Sequence, residues 1–293
     1  VTISANTTTV CAGTAVNFTA TITGGGSTPA YQWKVNGGNV GTNSPTFSST
    51  TLANNAVVTC VLTSSSACAT PASVTSNAVT ITVNAVVAPT LSIAASSTTV
   101  CSGTAVTFTA TATNAGTTPT YQWAVNGSNA GTNSNTFSST TLNNGDLVSC
   151  TLTSSLNCVT TSSVVSNSIP IEVNPVVTTS VSISSDSGPT ICAGTSVTFT
   201  AVPTNGGTPV YQWKRNGSPV GTNNSTYLTS SLNNGDVITC DMTSSLICPN
   251  PATVTSNSIS MTVNSTSTPT VAIVSSEGNS ICSGVSVVFT ATS

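Results

Sequence analysis

The sequence predicts an all-β chain in which one small β-sandwich domain is written several times in tandem. Three observations carry that prediction. First, Tyr31-Gln32-Trp33 is followed by Asn36-Gly37, and the arrangement returns at Tyr121-Gln122-Trp123 with Asn126-Gly127 and at Tyr211-Gln212-Trp213 with Asn216-Gly217. The chain has 3 tryptophans in all, spaced 90 residues apart. A large aromatic on a short alternating strand, closed by an Asn-Gly turn, is how a sandwich plants its central plug. Trp33, Trp123 and Trp213 are therefore the expected core plugs. Second, the cysteines keep the same beat: Cys11, Cys101, Cys192 and Cys282 recur at steps of 90, 91 and 90 residues. Third, no stretch has a helical period, and strand-favouring Val and Thr dominate.

A unit of about 90 residues is large enough to close one core. The 293 residues then divide into repeats at 1–84, 85–174 and 175–264, with the start of a fourth at 265–293. A period this long means beads on a string rather than a thin solenoid. The last repeat breaks off after Phe289-Thr290-Ala291, so the chain reads as a segment of a longer protein.

Within the first repeat, Val1 to Ala5 reads as a short strand, and Cys11-Ala12-Gly13-Thr14 as a turn. Val16, Phe18, Ala20 and Ile22 alternate with Asn17, Thr19 and Thr21, the pattern of a half-buried strand. Gly24-Gly25-Gly26 with Pro29 forms a loop. Tyr31, Trp33 and Val35 share one face of the next strand, with Gln32 and Lys34 on the other. Phe47 and Leu52 mark a further strand or two, and Asn54-Asn55 turns the chain. Val58, Cys60 and Leu62 then point one way and Thr59, Val61 and Thr63 the other. A Ser/Pro loop to about Val74 and a strand from Ala78 to Val83 complete the unit. Phe108 and Phe199 take the place of Phe18, and Asn144-Gly145 and Asn234-Gly235 that of Asn54-Asn55. The links, such as Asn84 to Pro89, are short and rich in Val and Pro, which predicts a stiff rod rather than flexibly strung domains.

Composition excludes several functions. Three basic and six acidic residues leave no basic surface for nucleic acid and no polybasic patch for a membrane. A net charge of −3 is too small to steer a partner. No apolar run approaches the roughly 20 residues of a membrane span, and no signal peptide is present. Ten cysteines in a fixed pattern point to an oxidising compartment. A zinc site lacks His, Cys-x-x-Cys pairs and short spacings.

Gly13-x-x-Val16-x-Phe18-x-Ala20, then Trp33, then Val58-x-Cys60 resembles an immunoglobulin-like domain. More narrowly, the run Ile191 to Ala201, then Tyr211-Gln212-Trp213-Lys214-Arg215-Asn216-Gly217, then Asn234-Gly235-Asp236-Val237-Ile238-Thr239-Cys240, is similar to the Ig-like/PKD-like repeats of Bacteroidetes surface proteins. The resemblance covers the whole chain. It implies a large exported protein, as in gliding adhesins of the SprB type and other substrates of the type IX secretion system. One departure from antibody-type domains is plain. Their strand-B cysteine falls where this chain has Ala20, Ala110 and Ala201, so the usual inter-sheet bridge has no partner for Cys60, Cys150 or Cys240.

Each repeat thus holds three cysteines: Cys11, Cys60 and Cys68; Cys101, Cys150 and Cys158; Cys192, Cys240 and Cys248. In a sandwich the first and third of a set lie at opposite ends, roughly 20 Å apart, whereas a disulfide needs Cα atoms within about 7 Å. Three arrangements stay open. Bonds can cross between repeats, Cys11 to Cys158 and Cys101 to Cys248, with Cys192 and Cys282 reaching forward and Cys60, Cys150 and Cys240 buried as thiols. Cys60 can bridge locally to Cys68. Or the first turn can bend inward to bring Cys11 to Cys60.

Catalysis finds no footing, and no cofactor or metal is expected. Serine has no His to act as base. Lys34 is matched by Ala124 in the second repeat, which also argues against a repeated Lys–Asn link. The carboxylates Asp146, Glu172, Asp186, Asp236, Asp241 and Glu277 are scattered, so neither a glycosidase pair nor a calcium site takes shape. Asp186 and Glu277 read as solvated loop charges, and the sequons at Asn17, Asn126 and Asn216 as chance. The reading is a non-enzymatic, disulfide-bonded, extracellular stalk or adhesive segment. Its partners are neighbouring repeats, other copies of itself in a filament, or surface glycans and proteins. The alternatives are spacer or carbohydrate-binding repeats of a secreted enzyme, and a self-assembling extracellular filament.

Overall fold

A computed structural model describes residues 1–293. The chain has no helices, so none is long and apolar enough to cross a membrane. The first sandwich contains β1 (Thr2–Ala5), β2 (Thr9–Cys11), β3 (Val16–Thr21), β4 (Ala30–Val35), β5 (Gly38–Val40), β6 (Thr46–Ser49), β7 (Ala56–Thr63), β8 (Ser73–Thr75) and β9 (Val79–Asn84). One sheet runs β1-β3-β6 and the other β2-β9-β7-β4-β5, with β8 also on β7. All pairings are antiparallel except β2 with β9. This two-sheet plan repeats from Thr90 to Asn174 and from Ser180 to Asn264, giving tandem immunoglobulin-like sandwiches. A two-stranded hairpin, Ala272–Ser275 with Phe289–Thr292, follows. Two compact units hold the chain, 1–173 with two sandwiches and 174–293 with the third and the hairpin.

Alternation sets the sheets. Along β3, Val16, Phe18 and Ala20 are buried and Asn17, Thr19 and Thr21 exposed. Asn36 and Gly37 both adopt positive φ, 51° and 84°, as the tight turn between β4 and β5 requires. Trp33 is fully buried; its ring lies 5.7 Å from Phe47 and 6.1 Å from Phe18, and its Nε1–H donates to the Ser44 carbonyl at 2.9 Å. Trp123 and Trp213 repeat the arrangement, with Tyr227 in place of the second Phe. Burying such a ring removes 150–250 Å² from water, about 4–6 kcal/mol of gross stabilisation. A Cβ on Gly131, whose φ is 66°, would stand 2.8 Å from the Phe137 ring, so the loop beside the plug needs glycine there.

Some expectations need correction. Leu52 lies in no strand; Thr51 N–H bonds back to Ser49 Oγ and turns the chain out of β6. The stretch expected as loop up to Val74 contains β8, which pairs Leu62 with Val74. Cys11 ends a strand rather than opening a turn, and the closing strand starts at Val79.

A polar clasp joins the sheets. Asn77, in the kink between β8 and β9, accepts the Ile3 N–H at 2.8 Å and donates to the Ile3 carbonyl at 3.1 Å. Asn167 holds Ile93 and Asn257 holds Ile183 in the same way. Ser76, Ser166 and Ser256 alongside accept the N–H of Cys60, Cys150 and Cys240.

Candidate functional site at the junction between repeats

The first two sandwiches meet where β9 ends. The parallel β2–β9 pair sets Cys11 against Asn84, and Ala12 N–H donates to the Asn84 carbonyl at 2.9 Å. The cysteine is thereby fixed beside the point where the linker leaves. The linker then pairs with the next sandwich. Val87 N–H donates to the Cys158 carbonyl at 3.1 Å, and Thr160 N–H to the Val87 carbonyl at 2.9 Å, a parallel bridge to Val159. Asn114 Nδ2 donates to the Ala88 carbonyl at 2.8 Å. A disulfide joins Cys11 to Cys158, with S–S 2.01 Å and Cα–Cα 5.4 Å. It closes a separation of 147 residues, and a loop of that order is worth about 5 kcal/mol on a chain-entropy account.

The unit 174–293 has the same linker pairing. Val177 and Thr178 run parallel to Pro249 and Asn250, and Val177 N–H donates to the Cys248 carbonyl at 2.9 Å. Asn205 Nδ2 donates to the Thr178 carbonyl at 2.7 Å, and Thr179 Oγ1 to the Pro251 carbonyl. Cys101 and Cys248 are each disulfide-bonded.

The remaining cysteines divide by burial. Cys60, Cys150 and Cys240 are free, buried and paired across the sheet with Trp33, Trp123 and Trp213. Desolvation raises the Cys60 thiol and pushes Cys150 and Cys240 up to about 11, the nearby Asp241 charge adding to the rise at Cys240. Such thiols are poor nucleophiles. Ala20, Ala110 and Ala201 lie in the same cores. Cys68, Cys192 and Cys282, disulfide candidates from the sequence, are free exposed thiols here.

The carboxylates serve the scaffold. Asp146 and Asp236 are buried turn locks, each accepting from an Asn side chain and a backbone N–H. Asp186, expected as a plain loop charge, caps the Thr198 N–H at 3.0 Å; that bond, with one from Ser187, lowers its pKa. Lys214 Nζ lies 2.6 Å from Asp241, which also accepts from Thr255. Burial works to raise the Asp241 carboxyl, but these partners outweigh it and hold it low. No three His, Cys, Asp or Glu side chains gather into a metal-holding group. The tryptophan faces are covered by Phe or Tyr and offer no platform for a sugar ring.

The reading of the residues missed the Asn77, Asn167 and Asn257 clasps and the Asp146 and Asp236 locks. The signal for the first was present: Ser-Asn recurs at Ser76-Asn77, Ser166-Asn167 and Ser256-Asn257, always the same distance past the buried cysteine.

No family model matches the sequence, and no curated protein matches it. Solved structures do. The chain is similar to the three N-terminal domains of the bacteriophage RB49 Highly Immunogenic Outer Capsid protein, at 15% identity over 90% of this chain and 98% of that one, with TM-score 0.36. It is similar to extracellular domains 3–5 of Drosophila OTK, at 14% identity over 87% and 93%, with TM-score 0.37. It is also similar to an I-band fragment of titin, at 9% identity over 90% and 99%, with TM-score 0.40.

Proposed function

We propose that this chain is a structural or adhesive stalk segment of an exported surface protein, built from sandwiches at 1–84, 85–174 and 175–264 with a further repeat beginning at 265. The observation that carries the reading is the junction in the first unit. There one linker is held by backbone pairing, a side-chain amide and the Cys11–Cys158 disulfide together. Backbone pairing and a side-chain amide on the linker, with a disulfide between the two sandwiches it joins, suit a joint that resists bending.

Disulfide bonding and the near absence of charge favour an extracellular setting. Few basic residues also mean few trypsin sites and little sensitivity to salt. The motif resemblance supports a Bacteroidetes surface protein of the gliding or type IX-secreted kind, with other repeats as partners and no enzymatic role for this segment. Small-angle scattering of the chain, oxidised and after dithiothreitol, tests the stalk. The oxidised chain is expected to give the longer, stiffer particle. Equal flexibility in both states would overturn the reading.

A further inference from the structure

We infer that the Cys11–Cys158 disulfide sets how far this chain can be drawn out, and that reducing it removes the limit. The bond ties together two points 147 residues apart. Tension that enters ahead of Cys11 and leaves behind Cys158 therefore crosses at the two sulfurs, and residues 12–157 form a closed side loop. That loop holds β3 to β9, the linker, and the strands of the second sandwich from Thr90 to Thr153. Drawn straight, so many residues span about 500 Å, and none of that length is released while the bond is closed.

The path of the load differs between the two states. With the bond open, tension enters the first sandwich along β2 and leaves along β9. These strands run parallel, Thr9–Cys11 beside Thr82–Asn84. Pulled from opposite ends they slide past each other. The Ala12 N–H bond to the Asn84 carbonyl and the Thr82 N–H bond to the Thr8 carbonyl, at 2.9 and 2.8 Å, are then loaded together. With the bond closed, β9 and the linker carry no tension. Two pieces stay in the path, residues 1–10 and 159–173, and each is fastened to the shielded body. β1 pairs with β3, and Asn77 holds the N–H and carbonyl of Ile3. Ser163–Val165 pairs with Thr151–Thr153, and Asn167 holds both groups of Ile93. The two clasps thus lie across the boundaries between loaded and shielded chain.

Cys60 and Cys150 are buried thiols inside the loop. The bond therefore also decides whether a stretched chain uncovers them. Its opening balances with a small dithiol as reductant. The two dithiol sulfurs close into a ring disulfide, two electrons pass to the protein bond, and Cys11 and Cys158 each take up a proton. The inference rests on the connectivity of one bond and not on the stalk reading. Equal flexibility in scattering would sink that reading and leave this one standing.

Single-molecule pulling on the whole chain tests it. One handle sits at Val1 and the other at the exposed position 176, through Val176→azidohomoalanine. The oxidised chain is expected to reach no more than about 100 Å between handles, and the chain in dithiothreitol about 600 Å, a roughly sixfold gain. Cys11→Ser should match the reduced chain without any reductant, while Cys101 and Cys248 keep their bonds. A maleimide added under tension gives a second readout. On relaxation the oxidised chain should repeat its first extension curve. Cys11→Ser with Cys158→Ser should fail to refold, because Cys60 and Cys150 are alkylated in the opened cores. The unaltered chain in dithiothreitol covers the case of a variant that does not fold. A reduced chain and a Cys11→Ser chain that extend no further than the oxidised one would overturn the proposal. So would an oxidised chain that reaches the full length.

Discussion

A single amide and a single thiol show how much rests on individual residues. Asn167 satisfies both the N–H and the carbonyl of Ile93, at 2.9 and 3.2 Å, in a part-buried setting. Asn167→Ala leaves both unpaired, and an unsatisfied buried group costs about 1–3 kcal/mol. The second sandwich is expected to lose about 2–4 kcal/mol, read as a lower urea midpoint with an unchanged slope. The buried thiols make a separate prediction with a definite sign. Cys150 and Cys240 titrate near 11 in the folded chain because burial disfavours the thiolate, against about 9 when exposed. Between those values the unfolded chain has already lost a proton that the folded chain keeps. Stability from this source is complete below pH 9 and falls as pH rises toward 11. Urea midpoints at pH 8 and pH 10.5 check it, and Cys150→Ala with Cys240→Ala should flatten the difference.

At the scale of the strand and turn, the same logic explains what the second and third sandwiches have and the first lacks. Asp146 accepts Asn143 N–H at 2.8 Å and Asn126 Nδ2 at 2.7 Å, while Asn126 Oδ1 accepts Leu147 N–H at 2.9 Å. Two turns at one end of the sandwich are thereby tied together, and Asp236 ties the equivalent pair. The first sandwich has Ala56 at this place and keeps only the Asn36 bond to Val57 N–H. Asp146→Ala should therefore destabilise its sandwich by about 1–3 kcal/mol, detectable as a selective shift in the urea melt. Elements of this kind were unevenly legible in the sequence. Strong apolar alternation made β3, β4 and β7 readable, and Asn-Gly fixed the turn between β4 and β5. β8 escaped because one apolar residue, Val74, between Ser73 and Thr75 carries no visible period. The Asn clasps and Asp locks escaped because Ser, Thr and Asn are so abundant that one buried amide looks like any exposed one.

Across the molecule, each hydrophobic core is closed within one sandwich: residues 1–83, 91–173 and 181–263 supply the three clusters and their margins. The Cys11–Cys158 bond crosses from the first to the second without entering either core. It is one of three arrangements open in the sequence, because spacing alone does not fix which strand ends meet. The linker pairing had no sequence signal at all, since Val86 and Val87 read equally well as a free apolar spacer. Joint and core should therefore separate under reduction. Dithiothreitol, or Cys11→Ser, is expected to leave the fluorescence of the buried tryptophans unchanged, because no core loses a contact. The amides of Val87 and Thr160, which bond across the joint, should exchange faster by about tenfold or more once the bond is gone, given the several kcal/mol a long-range disulfide supplies. Hydrogen exchange read by NMR distinguishes the outcomes. Unchanged exchange at both amides would show that backbone pairing alone holds the joint. Loss of the tryptophan signal would show instead that the disulfide supports the sandwiches themselves, and that the repeats are not independent bodies fastened at their ends.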